Sequence, residues 1–299
     1  VVLLMKDAEI SIGMPAYNNA RTIDRAIQSV LDQSFSNWKL YISDDFSDDA
    51  TRSIVHSYAK RHPDKIFEAH PSETLYYLNF RHLIHVSKAP FFVWLAGDDW
   101  WEPDFLKRCL AELKRHPEAV CCLARCKFHL ADGSSYIDPG ARALTSDMPT
   151  RVSTYFLGPD QSRMYGVFRR NALEQSFVNK VFHAYDWALC AGTLRLGIHI
   201  EIDEVLLNRE RTPSVKYITS VDRDEPNTFL RYFPVLRMTY IGLSQGIIPS
   251  NPKVLFALLH VNIIKHREQI VRKWPLVAKA ISPVFRLLLR GSSFMARRL

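Results

Sequence analysis

The sequence predicts an α/β fold built on a mainly parallel sheet. In the first hundred residues, short apolar segments with strand character alternate with segments whose apolar residues recur at helical spacing. Acidic pairs follow two of these apolar segments, and ligands of open parallel sheets bind at such strand ends. Hydrophobic residues make up 47% of the chain and charged residues 23%, which is typical of a globular protein. With 299 residues the chain has room for one large domain or two smaller ones.

The first hundred residues predict four strands separated by three helices. Residues 9–14 form the first strand, which ends at Pro15. Residues 20–33 form a helix because their apolar side chains fall on one helical face. The next elements are a strand at 38–43, a helix at 48–62 that begins with acids, a strand at 66–69, a helix at 79–87 and a strand at 90–96. The last of these is apolar throughout, which suits a buried parallel strand.

The remainder of the chain is less regular. A helix is predicted at 104–116 and an apolar strand at 119–128. Residues 131–160 are rich in Gly, Pro, Asp and Ser and predict a long mobile loop. Two further short elements follow at 167–173 and 186–194, and from about residue 225 the chain is predicted to be helical.

The net charge of +8 is concentrated near the C-terminal end of the sequence. Residues 253–299 hold 10 of the 39 Lys and Arg residues and one acid, Glu268, whereas residues 1–252 hold 29 basic and 30 acidic side chains. Because most of the chain is nearly neutral, we expect no nucleic-acid partner. Lys279, Arg286 and Arg290 share one face of an apolar helix, which predicts either a helix lying on an anionic membrane or one packed on protein.

Targeting signals and cysteine usage favour a cytoplasmic protein. No apolar run approaches the roughly 18 residues of a membrane-spanning helix, and residues 1–5 are too short for a signal peptide. The five cysteines are an odd number without metal-ligand spacing, which predicts reduced thiols. Peripheral attachment to the inner face of the cell membrane is compatible with the basic tail. A homo-oligomer is equally compatible with the sequence, which does not fix the oligomeric state.

Acidic pairs follow the second strand (Asp44, Asp45) and the strand at 90–96 (Asp98, Asp99). The carboxyl ends of neighbouring parallel strands lie at one edge of a sheet, so both pairs are expected in one crevice. Two adjacent carboxylates repel each other and require a compensating positive charge. A divalent cation would supply it, and a helix cap is the alternative that the spacing leaves open.

Four segments together resemble a known family. They are Ile10–Asn18 (ISIGMPAYN), Ala26–Phe35 (AIQSVLDQSF), Ile42–Thr51 (ISDDFSDDAT) and Trp94–Asp99 (WLAGDD). In this order and spacing the chain resembles the family 2 glycosyltransferases. The resemblance implies a GT-A fold, which is a Rossmann-like nucleotide-binding α/β/α sandwich, followed here by a helical extension. It further implies a nucleotide-sugar-binding half at 1–103 and an acceptor-binding half at 104–224, whereas the basic helical extension at 225–299 has no counterpart in the common core of the family.

The resemblance also implies residue roles. Pro15, Tyr17 and Asp45 would hold the base and ribose, with Asp98 near the ribose, Asp99 as the ligand of Mn²⁺ or Mg²⁺, and Arg81 on the diphosphate. Asp186 would be the catalytic base that accepts a proton from the acceptor hydroxyl, and the displacement would invert the anomeric carbon. Tyr165 and Gly166 would line the acceptor side.

The implied function is transfer of a sugar, with a UDP-sugar the expected donor, to a glycan or lipid-linked glycan in cell-surface polysaccharide biosynthesis. Two alternatives remain at this point. One is a catalytically silent protein of the same fold that binds nucleotide or acts as a scaffold. The other is a receiver-type phosphoacceptor module, which also clusters acids at strand ends, although this chain is long for such a module.

Overall fold

A computed structural model describes residues 8–69, 76–139, 143–160, 162–178, 180, 182–211, 221, 225 and 227–298. The chain divides into two compact units. The first consists of Val1–Arg142, Ser162–Glu174 and His199–Thr212, and the second of Ala143–Gln161, Gln175–Ile198 and Pro213–Leu299. The domain limits at 103 and 224 rest on the family resemblance and stay a prediction.

The described residues contain nine strands, all members of one sheet. They are β1 (Ile10–Ala16), β2 (Trp38–Asp44), β3 (Ile66–Glu68), β4 (Phe91–Trp94), β5 (Trp100–Trp101), β6 (Ala119–Leu130), β7 (Ser135–Ile137), β8 (Val167–Arg169) and β9 (Ile198–Arg211). The α-helices are α1 (Ile23–Leu31), α2 (Thr51–Arg61), α3 (Tyr76–Val86), α4 (Phe105–Arg115), α5 (Met148–Leu157), α6 (Arg170–Ser176), α7 (Tyr185–Leu196), α8 (Thr228–Tyr232), α9 (Leu236–Ser244), α10 (Pro252–Lys273) and α11 (Pro275–Arg298).

The sheet has the order β3-β2-β1-β4-β8-β6-β9-β5, with β7 paired to β6. The first four strands are parallel, and β8 joins β4 in the antiparallel direction. In chain order β1, β2, β3 and β4 alternate with α1, α2 and α3, so the predicted α/β architecture is confirmed. Since these strands are parallel, their carboxyl ends lie at one edge of the sheet.

Apolar side chains on both faces of the parallel strands form the core of the first unit. Ile10, Ile12 and Met14 of β1 are fully buried, and all four residues of β4 are buried as well. The indole of Trp94 is fully buried, and its Nε1 donates a hydrogen bond to the carbonyl oxygen of Phe80 over 3.2 Å. That bond satisfies a polar atom that would otherwise destabilise the core.

The predicted loop at 131–160 is wrong in part, because the segment contains β7 and α5. Helix α5 begins with Asp147, whose carboxylate accepts a hydrogen bond from the Thr150 amide, and proline stands in its first turn. Val152 and Phe156, one turn apart, are fully buried. The Asp147 cap, the proline in the first turn and this spacing all indicate a helix. The Gly, Pro and Ser content of the whole segment favoured a loop instead.

The described part of the second unit is helical, as predicted for the C-terminal region. Helix α10 packs against α5 and α11. Its first turn is capped by Asn251, whose side-chain oxygen accepts a hydrogen bond from the Lys253 amide. Among the helices that the structure describes, none combines the length and apolar character needed to cross a bilayer. All five cysteines of the chain are buried, and none of them forms a disulfide.

Candidate active site

Three loops meet at the carboxyl edge of the parallel strands, after β1, β2 and β4. Asn19, in the loop after β1, packs its side chain against Gly97 in the loop after β4. A Cβ atom on Gly97 would lie 2.8 Å from the Asn19 Oδ1 atom, so only glycine allows this approach. The Thr22 hydroxyl donates to the Gly97 carbonyl oxygen over 2.8 Å. The loop that carries the second acidic pair is thereby fixed to the first loop.

Hydrogen bonds also join the first loop to the loop after β2. The Asn18 amide donates to the Ser47 hydroxyl over 2.9 Å, and the Asn18 side-chain oxygen accepts from the Asp48 amide over 3.1 Å. Asn18 has a φ of 50°, a left-handed conformation that asparagine tolerates better than most residues. The Asp45 amide donates to the Ala16 carbonyl oxygen over 2.8 Å, which places the first acidic pair beside the end of β1.

The predicted nucleotide-binding residues lie on this edge. Pro15 is buried near the end of β1, whereas Tyr17 directly after it is 56% exposed and available for stacking. A pocket of about 160 Å³ opens at the ends of β2 and β3. Its lining consists of Ile42, Asp44, Phe46, Arg52, Val55, Glu68 and Ala69. Asp44, the neighbour of the predicted Asp45, therefore lines the pocket, and it is tied to Ser47 by a short hydrogen bond.

Asp99 is buried and paired with an arginine from a distant segment. Its side chain is 1% exposed, and its Oδ2 atom accepts a hydrogen bond from Arg209 Nε of β9 over 2.9 Å. Burial raises the pKa of Asp99 to about 7, while the Arg209 charge acts in the opposite direction. The guanidinium of Arg209 also lies 4.2 Å from the ring centre of Tyr165. The compensating charge predicted for the second acidic pair thus includes an arginine of the chain itself.

Asp98 has a different environment from its neighbour. Its side chain is half-buried, and its carboxylate makes no hydrogen bond or ion pair with any residue that the structure describes. Arg25 donates instead to the Asp98 carbonyl oxygen over 3.2 Å, and its guanidinium stacks 3.6 Å above the Trp100 ring. Glu210 holds Arg25 through an ion pair of 2.8 Å. The backbone of Asp98 is fixed while its carboxylate stays available.

This donor set fits a divalent cation of the magnesium type. Within the described ranges no three His, Cys, Asp or Glu side chains group together as a metal cage. Mg²⁺ typically uses one or two carboxylates together with phosphate oxygens of a substrate and with water, so a complete protein cage is not required. The available carboxylate of Asp98, on a loop fixed by Asn19 and Arg25, meets that requirement.

Asp186 belongs to the second unit, where it lies in the first turn of α7. The N-cap position of this helix is Ala184, with a φ of 61° and no side-chain capping bond. Asp186 is the second helical residue and therefore does not occupy the N-cap position. Its side chain is half-buried. An acid in the first turn also interacts favourably with the positive end of the helix.

The remaining predicted residues have clear structural surroundings. Gly166 packs against β6, where an added Cβ atom would lie 2.6 Å from Cys121 Sγ and 2.9 Å from the Cys122 carbonyl oxygen. Tyr165 is buried beneath Arg209. Arg81 lies in α3, where its Nε donates to His85 one turn later over 3.0 Å. The acceptor and diphosphate roles of these residues stay predictions.

Sequence reasoning missed Arg52 and Glu68 in the pocket and gave Arg25 no role. It also gave no indication that Arg209 pairs with Asp99. The sequence offered one signal for Arg52, because this residue directly follows the motif Ile42–Thr51. Arg209 is 110 residues away from Asp99 in the sequence, and no local pattern relates them.

The sequence model of glycosyl transferase family 2 matches residues 11–177, which is more than half of the chain. Chondroitin synthase of Escherichia coli is 28% identical over 226 residues, covering 74% of this chain and 31% of that protein. WfgD of Escherichia coli, a UDP-Glc:alpha-D-GlcNAc-diphosphoundecaprenol beta-1,3-glucosyltransferase, is 50% identical over 51 residues, covering 17% of this chain and 20% of that protein. The matches thus span less than a third of the length of either relative.

A mannosyltransferase from Pyrobaculum calidifontis, solved in complex with GDP-Man and Mn²⁺, is similar in structure with a TM-score of 0.57. Its identity with this chain is 15%, and the likeness covers 97% of this chain and 86% of that one. At this identity the likeness concerns the fold. It confirms the GT-A fold that the four motifs implied, with a helical region at its C-terminal side.

Proposed function

The chain belongs to glycosyltransferase family 2, and from this premise we propose that it transfers a sugar from a nucleotide-sugar donor to a glycan or lipid-linked glycan acceptor. The expected donor is a UDP-sugar, and the setting is cell-surface polysaccharide biosynthesis on the cytoplasmic side. WfgD, whose name specifies UDP-Glc and a diphosphoundecaprenol-linked acceptor, supports both choices.

The observation that carries this proposal is the convergence of three loops at one edge of the sheet. The loop after β1 contributes Tyr17, the loop after β2 contributes Asp45 and borders the pocket, and the loop after β4 contributes Asp98 and Asp99. In this proposal Tyr17 stacks on the base, and Pro15 and Asp45 complete the base and ribose site. Arg81 is the proposed partner of the diphosphate.

A divalent cation, Mn²⁺ or Mg²⁺, would be held by the second acidic pair together with donor phosphates. When bound, such an ion stabilises the negative charge that develops on the departing nucleoside diphosphate. The sequence favoured Asp99 as the direct ligand and Asp98 near the ribose. Because Arg209 already occupies Oδ2 of Asp99, we assign the ion-facing position to Asp98 and a supporting position to Asp99. The Mn²⁺ in the mannosyltransferase complex is consistent with cation use in this fold.

Asp186 is the proposed catalytic base. It accepts the proton of the acceptor hydroxyl as that oxygen attacks the anomeric carbon, and the direct displacement inverts the configuration. The first turn of a regular helix, in place of a flexible loop, would orient its carboxylate. Tyr165 and Gly166 are proposed to line the acceptor side, with Gly166 fixed by its packing on β6.

The test is release of UDP from UDP-sugars by the purified chain with Mn²⁺. The Asp186→Asn variant should lose about 100-fold or more in turnover, the typical contribution of general base catalysis. Asp203→Asn is the matched control, because Asp203 is 89% exposed on β9 and pairs with Arg125 at the surface. No turnover by the unaltered chain despite nucleotide binding would contradict the proposal and favour a catalytically silent binding protein.

A further inference from the structure

The C-terminal helix α11 presents three different faces. The first face packs inward: Phe285, Ser292 and Ala296 are buried and lie within about 40° of one another at 3.6 residues per turn. The Ser292 hydroxyl is 3.0 Å from Nδ1 of His260, and the Phe285 ring lies 5.9 Å from that of His266. Both histidines belong to α10, so this face fixes the orientation of α11 on its neighbour.

The second face of α11 is exposed and apolar up to the end of the helix, where Arg298 also falls on it. Its apolar members lie within about 120° of the helix circumference, and they are Leu276, Val277, Val284, Leu287, Leu288, Phe294 and Met295. Leu276 is 84% exposed and Leu287 is 73% exposed. Exposing so many large apolar side chains on one helical face is unfavourable in water, and such a patch typically marks an interaction surface.

The third face is a basic stripe beside the apolar one. Lys279, Arg286, Arg290 and Arg297 are exposed and lie within about 40° of one another. Residues 275–298 contain no acid, and Glu268, the single acid of 253–299, is paired with Lys265 over 2.8 Å. The stripe therefore has no internal counter-charge on its own helix.

We propose that α11 binds an anionic lipid surface, with its apolar face inserted among the acyl chains and its basic stripe on the phosphate headgroups. An apolar face with an adjoining cationic edge is the pattern of helices that lie in the membrane interface. A second copy of this chain fits less well, because its α11 offers no acid that could neutralise the basic stripe. The proposal does not depend on sugar transfer, so it can fail independently of the proposed function.

The experiment is flotation of the full chain with vesicles of phosphatidylcholine alone or with one third phosphatidylglycerol. We expect binding to the anionic vesicles at least tenfold tighter than to the neutral ones. Arg286→Gln with Arg290→Gln should weaken it by about fivefold per arginine. The control is Lys60→Gln with Lys88→Gln, an equal charge loss at exposed positions of the first unit, which should leave binding unchanged.

A second variant tests the apolar face. Leu287→Ser with Leu288→Ser should weaken vesicle binding by tenfold or more while leaving the thermal unfolding temperature unchanged, because both side chains are exposed. Equal binding of the unaltered chain to both vesicle types would overturn the proposal, as would full binding by this variant. Conversion of a dimer to a monomer by the same variant, with vesicle binding unaffected, would show that a second copy covers the face.

Discussion

Replacing Arg209 by glutamine should strongly destabilise the first unit. The Asp99 side chain is 1% exposed and that of Arg209 is 17% exposed, so water solvates neither charge well. The substitution leaves the buried carboxylate without its guanidinium partner. Burial already raises the pKa of Asp99 to about 7, so proton uptake at neutral pH limits the cost of losing the guanidinium to that of an unsatisfied buried polar group, about 1–3 kcal/mol. For a unit of this size that loss lowers the unfolding temperature by about 2–12 °C.

The assay is urea unfolding followed by tryptophan fluorescence, with Arg211→Gln as the control. Arg211 is two residues further along β9 and exposed, where it donates to the Tyr136 hydroxyl, so its replacement should cost about 0.5 kcal/mol or less. Adding Asp99→Asn to Arg209→Gln should recover part of the loss, because the buried charge is then removed as well. The reasoning is refuted if Arg209→Gln costs no more than Arg211→Gln, or if the double variant loses the sum of both single losses.

Three further substitutions have defined outcomes. Gly166→Ala forces a Cβ atom to 2.9 Å from the Cys122 carbonyl oxygen and should cost about 1–3 kcal/mol in urea unfolding, whereas Gly291→Ala, an open helical position, should be neutral or stabilising. Asn251→Ala removes the cap of α10 and should cost about 1 kcal/mol, measured by thermal unfolding; no loss would contradict the capping role. Hydrogen bonds from the hydroxyl and the amide of Thr150 hold the pKa of Asp147 below its usual range, so its stabilising effect is present at neutral pH and lost as pH falls through that lowered pKa. Asp147→Asn should accordingly lower the unfolding temperature more at pH 6 than at pH 3, and an equal effect at both would exclude this linkage.

The parallel half of the sheet could be predicted mostly from local sequence patterns. Strands β1, β2 and β4 were predicted because each is a largely apolar run followed by a turn, and these features act within a few residues. The same patterns placed Tyr17 and both acidic pairs at one edge, and that placement is confirmed for their strand ends.

The remainder depends on contacts between distant segments. Strand β5 consists of two residues, Trp100 and Trp101, and exists because β9 pairs with it in the antiparallel direction. The same strand supplies Arg209 to Asp99, a pairing between residues 110 positions apart in the sequence. Neither pairing leaves a periodic signal, because sequence patterns reflect contacts between residues close in the chain and not contacts between distant segments. The exposed apolar face of α11 was apparent only in part, because the sequence gives its amphipathic spacing but not which face α10 covers.

The central claim is that the carboxylates after β4 hold a divalent cation that binds a nucleoside diphosphate. Its most direct test is calorimetric titration of UDP into the chain with and without Mn²⁺, repeated with Asp98→Asn and with the control Asp64→Asn at an exposed position away from β4. We predict that Mn²⁺ tightens UDP binding at least tenfold in the unaltered chain and in Asp64→Asn, and that Asp98→Asn abolishes the gain. A Mn²⁺ effect that survives in Asp98→Asn, or UDP binding that is indifferent to Mn²⁺ in the unaltered chain, would contradict the account.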